Sequence, residues 1–153
     1  MILHGELVSS GGNIYHLQAF AQEDDTARHI AALLALKPDA VDITQALEHI
    51  RSDLGINLSQ RQCEAVYMAF RSNLSIITGS PGTGKTTVLR AIIQVFSFLY
   101  PKGKILLAAP TGRAAKRLTE VTGEEASTIH RLLGAAIDHH TGKLYFCKDE
   151  SDP

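Results

Sequence analysis

The residues with the most evident chemistry are Gly79-Ser80-Pro81-Gly82-Thr83-Gly84-Lys85-Thr86, a complete G-x-x-x-x-G-K-T. The apolar run Leu74-Ser75-Ile76-Ile77-Thr78 precedes it and the helical pattern Thr87-Val88-Leu89-Arg90-Ala91-Ile92-Ile93 follows it. A strand, a glycine-rich loop and a helix in that order form a receptor for clustered phosphates. The first turn of a helix offers N–H groups without intrahelical partners and the positive end of the helix dipole. Gly82 and Gly84 let the backbone curl around an anion, and Pro81 stiffens the loop. Consecutive N–H groups then form a concave nest. Lys85 is expected to reach the β- and γ-phosphates, and the Thr86 hydroxyl to ligate a bridging Mg²⁺. Gly79, Ser80, Thr83 and Thr87 complete the candidate nucleotide contacts. The motif specifies nucleotide binding without specifying a reaction.

Three further constellations narrow the chemistry. Leu58-Ser59-Gln60-Arg61-Gln62 lies upstream of the loop. The Gln62 carboxamide has both a donor and an acceptor, matching N6 and N7 of adenine, which points to ATP. Ser59 and Gln62 also spell a capping box, S-x-x-Q, and the two readings are compatible. Next, Ala109-Pro110-Thr111-Gly112-Arg113 opens a helix that carries Lys116 and Arg117. A hydroxyl, a glycine, a helix start and three cations suit a phosphodiester backbone, and a solvated basic helix face is the alternative. Finally, Thr128 and His130 sit in Thr128-Ile129-His130-Arg131-Leu132-Leu133-Gly134. They offer another phosphate contact or, for the histidine, a structural role.

The positioning elements follow from periodicity. Glu6–Val8 and Asn13–Leu17 read as a hairpin around Ser9-Ser10-Gly11-Gly12. Because an isolated hairpin is marginal in water, the domain is expected to begin upstream of Met1. Helices are expected over Asp25–Leu36, from Ile43 to Leu54, from Ser59 to Phe70, and over Lys85–Leu99 with Val88, Leu89, Ile92, Val95, Phe96 and Leu99 as its apolar stripe. Leu74–Thr78 and Lys104–Ala109 read as buried parallel strands. A helix over Arg113–Val121 comes next, then a short one capped by Ser127, and finally a turn and a short strand ending at Cys147. The alternation implies an α/β sheet with a right-handed crossover. Residues 1–57 read as an accessory hairpin and helical segment, and 58–153 as an ATP-binding segment.

Composition sets bounds. With 153 residues, 44% of them apolar and a formal net charge of −1, the chain has enough apolar side chains for a core and no global field for nucleic acid. Cys63 and Cys147 lack metal-ligand spacing and read as free thiols in a reducing cytoplasm. No apolar run approaches membrane-spanning length, so no membrane partner is expected.

Taken together, LSQRQ, IITGSPGTGKTTVLRAII, LLAAPTGRAAKRL and EEASTIHRLLG resemble the RecD-type branch of superfamily 1 DNA helicases, which includes the exodeoxyribonuclease V alpha subunit. The resemblance is dense from Leu58 to Gly134. It implies a partial RecA-like P-loop NTPase domain, ATP and Mg²⁺ as cofactors, and 5′→3′ movement on DNA in recombination or repair. Single-stranded DNA is the implied partner, with other subunits of a recombination nuclease complex. It assigns adenine reading to Gln62, and single-stranded DNA contacts to Pro110, Thr111, Gly112, Arg113, Thr128 and His130. Other readings are the helicase part of a conjugative relaxase, a small-molecule kinase, and a nucleotide- or DNA-binding module without turnover.

Hydrolysis needs acidic residues to hold Mg²⁺ and orient water. Asp149-Glu150 follows an interrupted apolar run, and the family pattern places the acidic strand further on. The expected outcome of an ATPase assay on this chain, with or without single-stranded DNA, is no turnover. Turnover that is stimulated by DNA and lost in Lys85→Ala would contradict it.

Overall fold

The computed structural model describes residues 6–38 and 41–148. The expected start upstream of Met1 and the pair Asp149-Glu150 lie outside the described residues. The chain divides into two compact units, Met1–Asp42 with Tyr67–Thr78, and Ile43–Val66 with Gly79–Pro153.

In the first unit, β1 (Leu7–Ser10) and β2 (Asn13–His16) pair antiparallel in the register Leu7↔His16 to Ser10↔Asn13. Gly11 and Gly12 turn the chain at φ of 57° and 82°, which only glycine adopts cheaply at both positions of a two-residue turn. Helix α1 spans Leu17–Ala35, starting well before the expected Asp25. His16 caps it by accepting from the Gln18 N–H at 3.3 Å, and Leu17 to Glu23 consists largely of strong helix formers. At its other end the Asn73 amide donates to the Leu33 and Leu36 carbonyls at 3.1 and 2.7 Å. No described side chain of this unit is fully buried: Ile14, Leu17, Leu33, Leu34 and Leu36 are all exposed. Leu74–Thr78 pairs with no strand among the described residues, and Ile76 is 76% exposed. The expected strand is therefore an extended segment here, since a strand is defined by its neighbour's hydrogen bonds.

The second unit holds the core. Helix α2 (Thr44–Ser52) packs on α4 (Lys85–Leu99), with Ile43, Ala46 and Ile50 buried against a helix that buries Val88, Ala91, Ile93 and Val95. The His49 and Phe98 rings meet at 4.9 Å. Helix α3 (Gln60–Arg71) contributes the fully buried Val66. On α4 the buried set departs from the expected stripe, and Leu89, Ile92, Phe96 and Leu99 are only half-buried. The helix packs against α2 and also against α5 (Gly112–Thr122), so it needs apolar residues over a wide arc.

Strand β3 (Leu107–Ala109) pairs in parallel with β4 (Ala126–Thr128), and α5 forms the crossover between them. This is an α/β arrangement of the P-loop NTPase type. The expected strand from Lys104 narrows to its last three residues, with Leu106 59% exposed. Residue Ser127 lies within β4; Thr128 caps the following α6 (Ile129–Leu132) instead, its hydroxyl accepting from Arg131 N–H at 3.1 Å. Strands β5 (Ala135–Ile137) and β6 (Leu144–Phe146) then close a hairpin. Asp138 Oδ1 accepts from His140 and Thr141 N–H in its turn, and these bonds hold the Asp138 carboxyl below the ordinary carboxylate value.

Ile50→Ala removes a fully buried side chain and is expected to cost about 2–4 kcal/mol in urea unfolding. Leu34→Ala, at 59% exposure, is expected to stay within about 0.5 kcal/mol. Equal effects would contradict this location of the core.

Candidate nucleotide and nucleic-acid site

The phosphate loop sits directly on the start of α4, the longest helix of the second unit. Gly84 is the N-cap residue at φ 83° and carries no side-chain cap, while its carbonyl accepts the first helical bond from Val88 N–H at 3.0 Å. The N–H groups just past the cap therefore have no intrahelical partner, which is where an anion is favoured. Gly82 has φ 80°, and a Cβ built there meets nothing within 4 Å, so its glycine is required by conformation alone.

The loop is held from within. Thr83 Oγ1 donates to the Ser80 carbonyl at 2.8 Å, and Thr83 N–H reaches the same oxygen at 3.4 Å. Lys85 Nζ donates to the Gly79 and Ser80 carbonyls at 2.6 and 2.8 Å. An ammonium has three N–H donors, so a third remains for a phosphate oxygen. The Thr86 side chain is exposed at the first turn, where its hydroxyl would be open to a bound cation. No cluster of three or more His, Cys, Asp or Glu suited to a metal occurs among the described residues. Glycines at positive φ, open helix N–H groups and a lysine beside them fit a triphosphate.

Gln62 joins this site from α3. The capping box forms: Ser59 N–H donates to Gln62 Oε1 at 2.9 Å, and Gln62 N–H to Ser59 Oγ at 3.4 Å. The amide nitrogen Nε2 also donates to the Thr83 carbonyl at 3.2 Å, 21 residues away. That bond was not legible in the sequence, since no local spacing encodes it.

The Thr111 and Thr128 segments also come together. Parallel pairing sets Ala109 opposite Thr128, so both strands end side by side and lead into the starts of α5 and α6. Thr111 caps α5, its hydroxyl accepting from Ala114 N–H at 3.3 Å with its own O–H still available. Pro110, Gly112, Arg113, Lys116 and Arg117 are exposed, and Ala115 turns inward at 4% exposure. His130 is exposed and its ring lies 5.9 Å from that of Phe146, a neighbour that no local spacing encodes.

A model of the AAA domain family matches residues 62–152, from Gln62 through the phosphate loop and past His130. The chain belongs to the AAA domain family. Among the proteins it is similar to are RecD-type helicases. It is 38% identical over 124 residues to the ATP-dependent RecD2 DNA helicase of Deinococcus radiodurans, covering 80% of this chain and 17% of that protein. It is 29% identical over 149 residues to the RecBCD enzyme subunit RecD of Mycolicibacterium smegmatis, covering 83% of this chain and 26% of that protein. The RecD subunit of Buchnera aphidicola subsp. Schizaphis graminum is 32% identical over 130 residues, covering 72% of this chain and 21% of that protein. The chain thus spans about a quarter or less of the length of these relatives.

Proposed function

We propose that this chain is the nucleotide-binding part of an ATP-dependent 5′→3′ DNA helicase of the RecD type, acting in recombination or repair. In this reading 58–153 is the motor segment and 1–57 an accessory segment. The carrying observation is the register Ala109↔Thr128, which sets the Thr111 and Thr128 helix starts together in the same unit as the phosphate loop.

ATP bound here has its phosphates along the Gly79–Thr87 loop and helix start. Lys85 supplies positive charge to the terminal phosphates, Thr86 a hydroxyl ligand for Mg²⁺, and Gln62 an edge for adenine. Single-stranded DNA runs across Pro110–Arg113 with Lys116, and across Thr128 and His130. Its phosphates meet the Thr111 hydroxyl, the start of α5 and the exposed cations. Hydrolysis adds two demands, a carboxylate for Mg²⁺ and one for the attacking water. Other subunits of a recombination nuclease complex are the candidate protein partners. A cytoplasmic location is part of this reading; among the described residues no helix is long and apolar enough to cross a membrane.

Titration with MgATP and with a labelled single-stranded oligonucleotide tests the two halves separately. Lys85→Ala is expected to weaken MgATP by about 10- to 100-fold, the worth of charge-assisted hydrogen bonds, and to leave DNA affinity unchanged. Arg113→Ala is expected to weaken DNA binding and reduce its salt slope by about one. DNA binding indifferent to Arg113 and to salt would contradict the assignment.

A further inference from the structure

Gln62 makes a contact that adenine recognition does not require. Its Nε2 donates to the Thr83 carbonyl at 3.2 Å, on the peptide that joins Thr83 to Gly84. The amide orientation is unambiguous, because Oε1 faces a donor, Ser59 N–H, and Nε2 faces an acceptor. That peptide lies in the most permissive stretch of the loop. Gly82 and Gly84 flank Thr83, both at positive φ, so little in the backbone itself resists rotation of the peptide plane. A trans peptide points its C=O and N–H in opposite directions. Holding Thr83 O from the α3 side therefore holds Gly84 N–H toward the opposite side, away from Gln62. The fit is close: a Cβ added at Gly84 would run into Gln62 Nε2.

We propose that Gln62 is a positioning residue for the phosphate loop: its carboxamide ties the start of α3 to the Thr83–Gly84 peptide and fixes the loop's anion-binding geometry whatever base the nucleotide carries. Each amide atom keeps a second hydrogen-bonding site, one lone pair on Oε1 and one hydrogen on Nε2. The same group can therefore hold the loop and read a base edge, and the arrival of the base is felt at the phosphates through one side chain. The inference rests on the nucleotide-binding reading above.

Inorganic tripolyphosphate, which has no base, separates the roles. Calorimetric titrations of the whole chain use MgATP and magnesium tripolyphosphate with the wild type, Gln62→Met, Gln62→Asn and Ser59→Ala. The methionine has similar length and no donor; the asparagine keeps the amide but is one methylene too short to reach both partners. Both are expected to weaken tripolyphosphate and ATP by about five- to tenfold. Ser59→Ala is expected to lower the melting temperature while keeping tripolyphosphate affinity within about twofold, since it removes only the hydroxyl side of the capping box. Loss of ATP affinity with tripolyphosphate unchanged makes Gln62 a base reader alone and overturns the proposal. Unchanged binding of both ligands, or collapse of both Gln62 variants by circular dichroism, makes it a helix cap and overturns it too. A wild type that takes up neither ligand sinks the nucleotide-binding reading itself, and this inference with it.

Discussion

The geometry of the site depends on how helix α4 begins. A helix start without a side-chain cap leaves N–H groups and a partial positive charge that need an acceptor. Gly84 has no side chain to supply one and sits at φ 83°, a left-handed conformation that glycine adopts without strain. Lys85 and Gln62 then hold that loop from two sides through the carbonyls of Gly79, Ser80 and Thr83. Those three carbonyls are engaged by side-chain donors, while the first N–H groups of α4 have no intrahelical partner, the polarity that an anion requires. α4 can present this end because its body is anchored: α2 and α5 pack on it, and Ala91 and Val95 are fully buried.

The same helix connects the loop to the second set of candidate residues. α5 packs on α4 and is the crossover between β3 and β4, so its N-cap Thr111 is placed by the same core that places Lys85. Parallel pairing brings Thr128 alongside. Ligands of open α/β sheets gather at the carboxyl ends of strands, and both Thr111 and Thr128 stand there. A nucleotide and a nucleic-acid strand bound at these places would share one rigid support, which is a physical route for one to influence the other.

Local signals were legible where a few adjacent residues settle the outcome. The phosphate loop, the Lys85–Leu99 helix and the Gly11-Gly12 hairpin all follow from short-range patterns. Thr111 carries two roles that the sequence does not separate: its hydroxyl is a candidate phosphate contact and also the cap of α5. Long-range pairing was less legible. Leu74–Thr78 has the composition of a buried strand, yet its ladder depends on partners that composition does not supply. β4 has three residues, too few to carry a period, and was hidden under the cap signal of the next helix. The Ile43–Leu54 pattern shows an amphipathic helix but not its neighbour: α2 buries Ala46 and Ile50 and packs on α4, a contact between segments far apart in sequence.

The central claim is that the start of α4 is the phosphate receptor. Amide hydrogen exchange over Gly79–Thr87, followed with and without MgATP in the wild type and in Lys85→Ala, tests it most directly. The account predicts that MgATP slows exchange at Gly82–Thr87 in the wild type and that the variant loses this protection. Protection confined to other segments, or equal in the variant, would contradict it.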